Sequence, residues 1–259
     1  MKKNKNIFIS IFISIFIIIF ILIFLIYFLG YYSGSCYKKI DNYLCNNNFC
    51  LIKKLKIKLP SEIMKGINNL INEKVNQKRV VIKPILNIEN IFDCAVPSKS
   101  GNTIPTQIIN NKFPKLINYY QNELCKLISN EINLVLKPTE ILYPTTCSIL
   151  IYEKEGDWIN WHYDYNYYKG RFFTVLIPIS NNITCTKYQY RINNNIKQID
   201  LIDDAIIFEG NYLYHNASKL CKNETRHILS LQYVTDNSMS YLNKLRIKFK
   251  DYAYIGILK

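Results

Sequence analysis

Histidine, acidic side chains and internal repetition are what this sequence has least of. Three His stand in 259 residues, so a site built on imidazoles has to draw on nearly all of them. Asp and Glu number 19 against 33 Lys and Arg, a formal net charge of +14. Such an excess admits nucleic acid, anionic lipid or acidic substrates as partners. The lysines are spread along the chain, however, and the densest cluster, Lys53-Lys54-Leu55-Lys56-Ile57-Lys58, alternates as a strand with one solvated face does. Nucleic acid is therefore not expected as a partner. No internal repeat and no long disordered linker is present, which excludes a repeat array and leaves a single core, the usual outcome for about 100–200 residues.

What is present begins with an apolar run. Lys2, Lys3 and Lys5 precede an uncharged stretch from Ile7 to Tyr32, longer than the roughly 20 residues that cross a bilayer. Ser33-Gly34-Ser35 offers small residues for a peptidase, but the apolar core of a cleaved signal is only about 7–15 residues. The expected organisation is a cytoplasmic tip over 1–6, an uncleaved transmembrane anchor over 7–32, a stem and edge strand over 33–60, and one domain over 61–259. With the basic tip held in the cytoplasm, that domain would lie on the lumenal side, in the endoplasmic reticulum or secretory pathway. Eight Cys fit an oxidising compartment. Their pairing is not legible, Cys45 with Cys50 being only the nearest couple. Glycosylation sequons stand at Asn182, Asn216 and Asn223.

Periodicity supplies the elements. Ser61 after Pro60 suits a helix N-cap, with Ile63, Ile67, Leu70 and Ile71 at helical spacing. Residues 79–86 read as a strand, and 97–105, with Gly101 and two Pro, as a loop beside the site. Phe113, Leu116, Ile117, Tyr120, Leu124, Leu127 and Ile128 form one helical stripe with Pro114 in its first turn, expected to pack outside the main sheet. The tail over 241–259 alternates enough to suggest a further strand.

The chemistry centres on Trp161-His162-Tyr163-Asp164. Residues two apart on a strand share a face, so His162 and Asp164 can converge. With a distant third ligand they make the facial two-His, one-carboxylate set that suits Fe(II) and leaves coordination positions open; His215 is the obvious third. A β-rich run over 148–152 and a turn at Gly156 come before the triplet. Strands over 172–179 and 204–210 follow it, the latter shortly before His215. Arg226 then opens a strand over 228–234. His227, adjacent to Arg226, should face the opposite side and serve structure.

Tyr152-x-x-x-Gly156 ahead of His162-x-Asp164, Gly170-Arg171-Phe172-Phe173-Thr174-Val175-Leu176, and His215 followed by Lys222-Asn223-Glu224-Thr225-Arg226 together resemble the Fe(II)/2-oxoglutarate-dependent dioxygenases. The prolyl and lysyl hydroxylase branch is the most similar. The likeness spans 142–236. It implies a mainly β fold with flanking helices, a double-stranded β-helix (jelly-roll) core. It makes His162, Asp164 and His215 the metal and catalytic residues and Arg226 the partner of the distal 2-oxoglutarate carboxylate, with Tyr152 and Thr174 as further cosubstrate contacts. A guanidinium offers a carboxylate two parallel hydrogen bonds and keeps its charge. Collagen-type prolyl hydroxylases carry Lys where Arg226 stands, and many relatives place Ser where this chain has Ile228.

The resemblance also implies Fe(2+), 2-oxoglutarate and O2, with ascorbate beside them, and hydroxylation of a prolyl or lysyl side chain in a protein or peptide substrate. A lipid, small-molecule or nucleic-acid substrate is the alternative, as is a non-catalytic anchored binding protein on the same barrel. Trp158, Trp161, Tyr163, Tyr165, Tyr167 and Tyr168 crowd the triplet, either as an aromatic substrate groove or as packing at the barrel mouth.

Overall fold

The computed structural model describes residues 11–22, 51–82, 97–192 and 195–255. Its strands, in chain order, are β1 (Ile52–Leu55), β2 (Lys78–Ile82), β3 (Lys99–Ile104), β4 (Lys137–Pro138), β5 (Cys147–Tyr152) and β6 (Trp158–His162). There follow β7 (Phe172–Asn182), β8 (Tyr188–Ile192), β9 (Asn195–Ile199), β10 (Ala205–Phe208), β11 (Tyr214–Ala217) and β12 (Thr225–Val234). Beyond 11–22, the helices are α1 (Ser61–Asn72), α2 (Thr106–Lys112), α3 (Pro114–Tyr119), α4 (Cys125–Ile132) and α5 (Tyr241–Ile255). A π-helical turn, Tyr120–Leu124, joins α3 to α4.

The strands form one 12-stranded sheet in the order β1-β10-β7-β12-β5-β3-β6-β11-β8-β9, with β2 on β3 and β4 on β12. It curls on itself, for residues from strands far apart in that order line one cavity. Period-2 patterning decides what each face meets. Ile149 and Ile151 of β5, Val175 and Ile177 of β7, and Leu229 and Leu231 of β12 pack outward against the helices. The residues between them, Ser148, Leu150, Thr174, Leu176, Ile228 and Ser230, face the interior. Most of the helical stripe closes the outer layer as expected: Leu116, Ile117, Tyr120, Leu124 and Ile128 are buried in the same cluster as Ile63 and Ile67 of α1, whereas Leu127 is exposed. Each such aliphatic side chain contributes about 1.5–3 kcal/mol through burial. A mainly β curled sheet flanked by helices is consistent with the expected jelly-roll core.

Several expectations are corrected. Among the described residues no helix is long and apolar enough to cross a membrane. Of the span 7–32, only 11–22 is described, as a helix with exposed side chains. The single-pass, lumenal placement is not supported by the described residues. Residues 7–10 and 23–32 lie outside the described residues, as do 83–86 of the expected strand and the couple Cys45 and Cys50.

The segment read as a loop over 97–105 is strand β3, paired with β2, β5 and β6. The described part of the tail, Tyr241–Ile255, is a helix rather than a strand. Ser240 starts it by accepting the Asn243 backbone N–H on Oγ at 3.2 Å, and Ile247 and Asp251, one turn apart, are both buried. Ser61 is the first helical residue of α1 and makes no side-chain cap, the N-cap being Pro60.

Candidate active site

His162 ends β6 and is the direct cross-strand partner of His215 on β11, so both rings point to one face, with centroids 4.2 Å apart. Each ring is fixed by a backbone carbonyl two residues earlier: Nδ1 of His162 lies 2.6 Å from Asn160 O, and Nδ1 of His215 lies 2.7 Å from Leu213 O. A carbonyl oxygen can only accept, so Nδ1 carries the hydrogen and the Nε2 lone pair is left for another partner. Those Nε2 atoms face Oδ1 of Asp164 at 3.5 and 3.9 Å. Ligand atoms from the three residues all lie within 4.8 Å of one another, the spacing of a facial triad around one metal ion.

Asp164 is held as tightly as the rings. Its backbone N–H donates to Gly210 O at 2.9 Å, and Thr174 Oγ1 donates to Oδ2 at 2.7 Å. A Cβ on Gly210 would collide with the Asp164 carboxylate; only glycine lets the β10–β11 turn approach so closely. Burial by itself would raise the Asp164 pKa, but the two His and Thr174 hold the carboxyl well below the usual range. Burial, followed by the His162 ring, pushes His215 down to about 4. At neutral pH His215 is thus a neutral imidazole and Asp164 a carboxylate, the protonation states a metal requires of its ligands.

Arg226, at the start of β12, lies across from Tyr152 on β5 and Asn181 on β7. It is 4% exposed, and its guanidinium sits 4.1 Å above the Tyr152 ring. The ring has room there because position 101 on β3 is Gly: a Cβ would come within 2.9 Å of it. Nη2 of Arg226 is buried and has no hydrogen-bond partner among the described residues. A buried cationic donor left unmet costs about 1–3 kcal/mol or more, so this end of the cavity fits a carboxylate. One cavity is lined by His162, Asp164, His215, Arg226, Tyr152 and Thr174 together.

The aromatic set divides. Tyr163, Tyr165, Tyr167 and Tyr168 line the cavity, whereas Trp158 and Trp161 are not among its walls. Trp161 stacks on Tyr214 at 5.3 Å with Arg191 5.5 Å from its ring, and Lys219 lies 5.8 Å over Trp158. His227 turns away from the cavity to Glu153, 3.1 Å from Nε2. Asn216 is buried within β11, while Asn182 and Asn223 are exposed, so only the latter two sequons could carry a glycan on the folded chain.

Five supports escaped the sequence. Arg171 grips the buried Glu209 through Nε and Nη2, both at 2.9 Å, fixing the chain next to Gly210. Glu224 accepts hydrogen bonds from the Cys185 and Cys221 backbones and from Thr184 and Thr186. The Cys185–Cys221 disulfide ties the same two segments just before Arg226. Tyr188 and Gly210 are the others. Arg171 and Glu224 stand inside stretches that carry the resemblance, though no role attaches to them there, and only the glycine ending the expected 204–210 strand hinted at a close approach.

No family model matches the chain, and no curated protein matches it. Solved structures do. AviO1 from Streptomyces viridochromogenes Tue57 matches with a TM-score of 0.51 at 10% identity, over 73% of this chain and 91% of that one. The non-heme alpha ketoglutarate dependent epimerase SnoN from nogalamycin biosynthesis matches with a TM-score of 0.50 at 9% identity, over 80% and 82%. A Pseudomonas putida prolyl-4-hydroxylase aligns over 81% of this chain and all of its own, at 8% identity and a TM-score of 0.44. The architecture is thus similar to that of AviO1 and of the alpha ketoglutarate dependent epimerase SnoN, and at these identities the likeness is one of fold.

Proposed function

We propose that this chain is an Fe(II)/2-oxoglutarate-dependent dioxygenase whose catalytic domain occupies 61–259, with β1 as an added edge strand. The observation that carries the reading is a single cavity holding both the His162, Asp164 and His215 ligand set and, apart from it, a buried Arg226 with an unmet donor. His162, Asp164 and His215 would hold the metal through two Nε2 atoms and a carboxylate oxygen. Arg226 would hold the far carboxylate of 2-oxoglutarate, with Tyr152 as the floor beneath its guanidinium. When bound, iron and 2-oxoglutarate supply O2 activation with release of succinate and CO2, ascorbate serving as reductant.

The protein's share is placement. Thr174 and Gly210 fix the Asp164 carboxylate, the carbonyls of Asn160 and Leu213 fix the two rings, and the apolar walls exclude water. The substrate we propose is a prolyl or lysyl side chain of a protein, brought in past Tyr163, Tyr165, Tyr167 and Tyr168. The test is succinate release by the purified chain with iron and 2-oxoglutarate, over a panel of proline- and lysine-containing peptides. Peptide-dependent succinate supports the reading. Failure to bind 2-oxoglutarate in the presence of metal overturns it.

A further inference from the structure

Arg226 Nη2 is not the only unmet donor in the cavity. The hydroxyl of Tyr188 is also buried with no hydrogen-bond partner among the described residues. Tyr188 opens β8, between Ala217 of β11 and Ile199 of β9. Its ring stacks beside His215 at 5.7 Å and lies 5.8 Å from Phe208. It belongs to one apolar cluster with Leu176 of β7 and Ile228 of β12, on the wall that carries Arg226, and it lines the same cavity as Arg226 and the triad. The phenol therefore reaches across the barrel interior.

Packing alone does not explain the hydroxyl. Phenylalanine would fill the same space and stack on the same His without burying an oxygen that has nothing to bond. A phenol is an ordinary neutral O–H donor near neutral pH, and the natural partner of this one is an oxygen acceptor that arrives with a ligand.

We infer that Tyr188 is a second donor to the dicarboxylate, hydrogen-bonding through its hydroxyl to a carboxylate oxygen of the ligand that Arg226 holds. This rests on the 2-oxoglutarate reading above. It assigns to β8, on the far side of the barrel, a part in cosubstrate recognition alongside β12.

The experiment uses Tyr188→Phe in the full chain, which removes one oxygen and keeps the ring. Three quantities are measured beside the parent protein: Mn(II) affinity, 2-oxoglutarate affinity of the Mn(II)-loaded protein by calorimetry, and Tm without ligand. The expected result is 2-oxoglutarate binding weakened about tenfold, the loss of one hydrogen bond to a charged acceptor. Mn(II) affinity should be unchanged and the ligand-free Tm equal or higher, because an unmet buried hydroxyl has gone. Equal 2-oxoglutarate affinity in the two proteins would overturn the inference, as would a lower ligand-free Tm without loss of affinity, the mark of a purely structural hydroxyl. If the parent protein and Arg226→Ala both fail to bind 2-oxoglutarate, the dioxygenase reading itself falls, a result distinct from the failure of Tyr188 alone.

Discussion

Thr174 Oγ1 donates to Oδ2 of Asp164 at 2.7 Å, and this one bond determines which carboxylate oxygen turns toward the histidines. With Oδ2 taken, Oδ1 faces Nε2 of both His162 and His215. Thr174 thus supports the metal set from β7 through Asp164. Thr174→Val, which keeps the shape and deletes the donor, should weaken metal binding by about tenfold, the usual scale for a residue that orients a ligand. Thr174→Ser should restore most of it. Metal titration of the folded variants decides the matter, and equal affinities for Val and Thr would show that the carboxylate orients without the bond.

His162→Ala or Asp164→Ala should abolish metal binding or nearly so, because each removes one of three protein ligands. His227→Ala is the matched control: its ring turns to Glu153, and metal content should stay at the parent level. Gly210→Ala should behave as a ligand variant although it touches no metal, since its methyl group displaces the Asp164 carboxylate. Metal content of the purified proteins, with circular dichroism as a fold check, separates these outcomes.

For the cosubstrate, Arg226→Ala should leave metal binding nearly intact and raise the 2-oxoglutarate Kd at least tenfold, a charge-assisted hydrogen bond contributing about 1.5–3 kcal/mol. Arg226→Lys should recover part of this by keeping the charge while losing the fork. Gly101→Ala tests the floor beneath: the added methyl presses on the Tyr152 ring, and the expected result is weaker 2-oxoglutarate binding with metal affinity unaltered. An Arg226→Ala protein that binds 2-oxoglutarate as well as the parent would remove Arg226 from the site.

Stability should fall in acid through Glu224. Burial by itself would raise its pKa, but hydrogen bonds from Thr186, Thr184, Cys185 and Cys221 prevail and hold the carboxyl well below its ordinary value of 4.5. A carboxylate depressed by folding contributes stability above its unfolded pKa and loses it as pH falls through the folded one. The clasp between the 184–186 segment and the start of β12 should therefore be fully present at pH 6 and weaken progressively below about pH 4.5. Glu224→Gln should be less stable than the parent at pH 6, and the gap should narrow as acid is added. Denaturant unfolding of both proteins from pH 6 to 3 is the measurement, and a constant gap would show that the carboxylate charge is not what holds the clasp.

Local pattern made much of this protein readable from its residues alone. Alternation along β5, β7 and β12 separates outward Ile149, Val175 and Leu229 from inward Leu150, Thr174 and Ile228, because side chains on a strand repeat every two residues. The same rule turns His227 away from Arg226, while Asp164, two residues past the end of β6, is brought beside His162 by its bonds to Gly210 and Thr174. Helical spacing gave α1 and the stripe from Leu116 to Ile128. What it could not give depends on partners distant in the chain. The 97–105 segment reads as a loop because Gly101 and two prolines weaken its strand signal, yet pairing with β2, β5 and β6 makes 99–104 a strand and turns the glycine into space for Tyr152. The tail alternates over a few residues only, and capping by Ser240 with burial of Ile247 decided for a helix. The apolar run at 7–32 matches a membrane span by composition, whereas among the described residues no helix is long and apolar enough to cross a membrane. Arg171 on Glu209, Glu224 astride two loops and Tyr188 across the barrel from Arg226 are pairings of residues tens of positions apart. Their chemistry is written in the sequence, but their meeting is set by how the sheet curls, and only the folded chain brings each of them to the site.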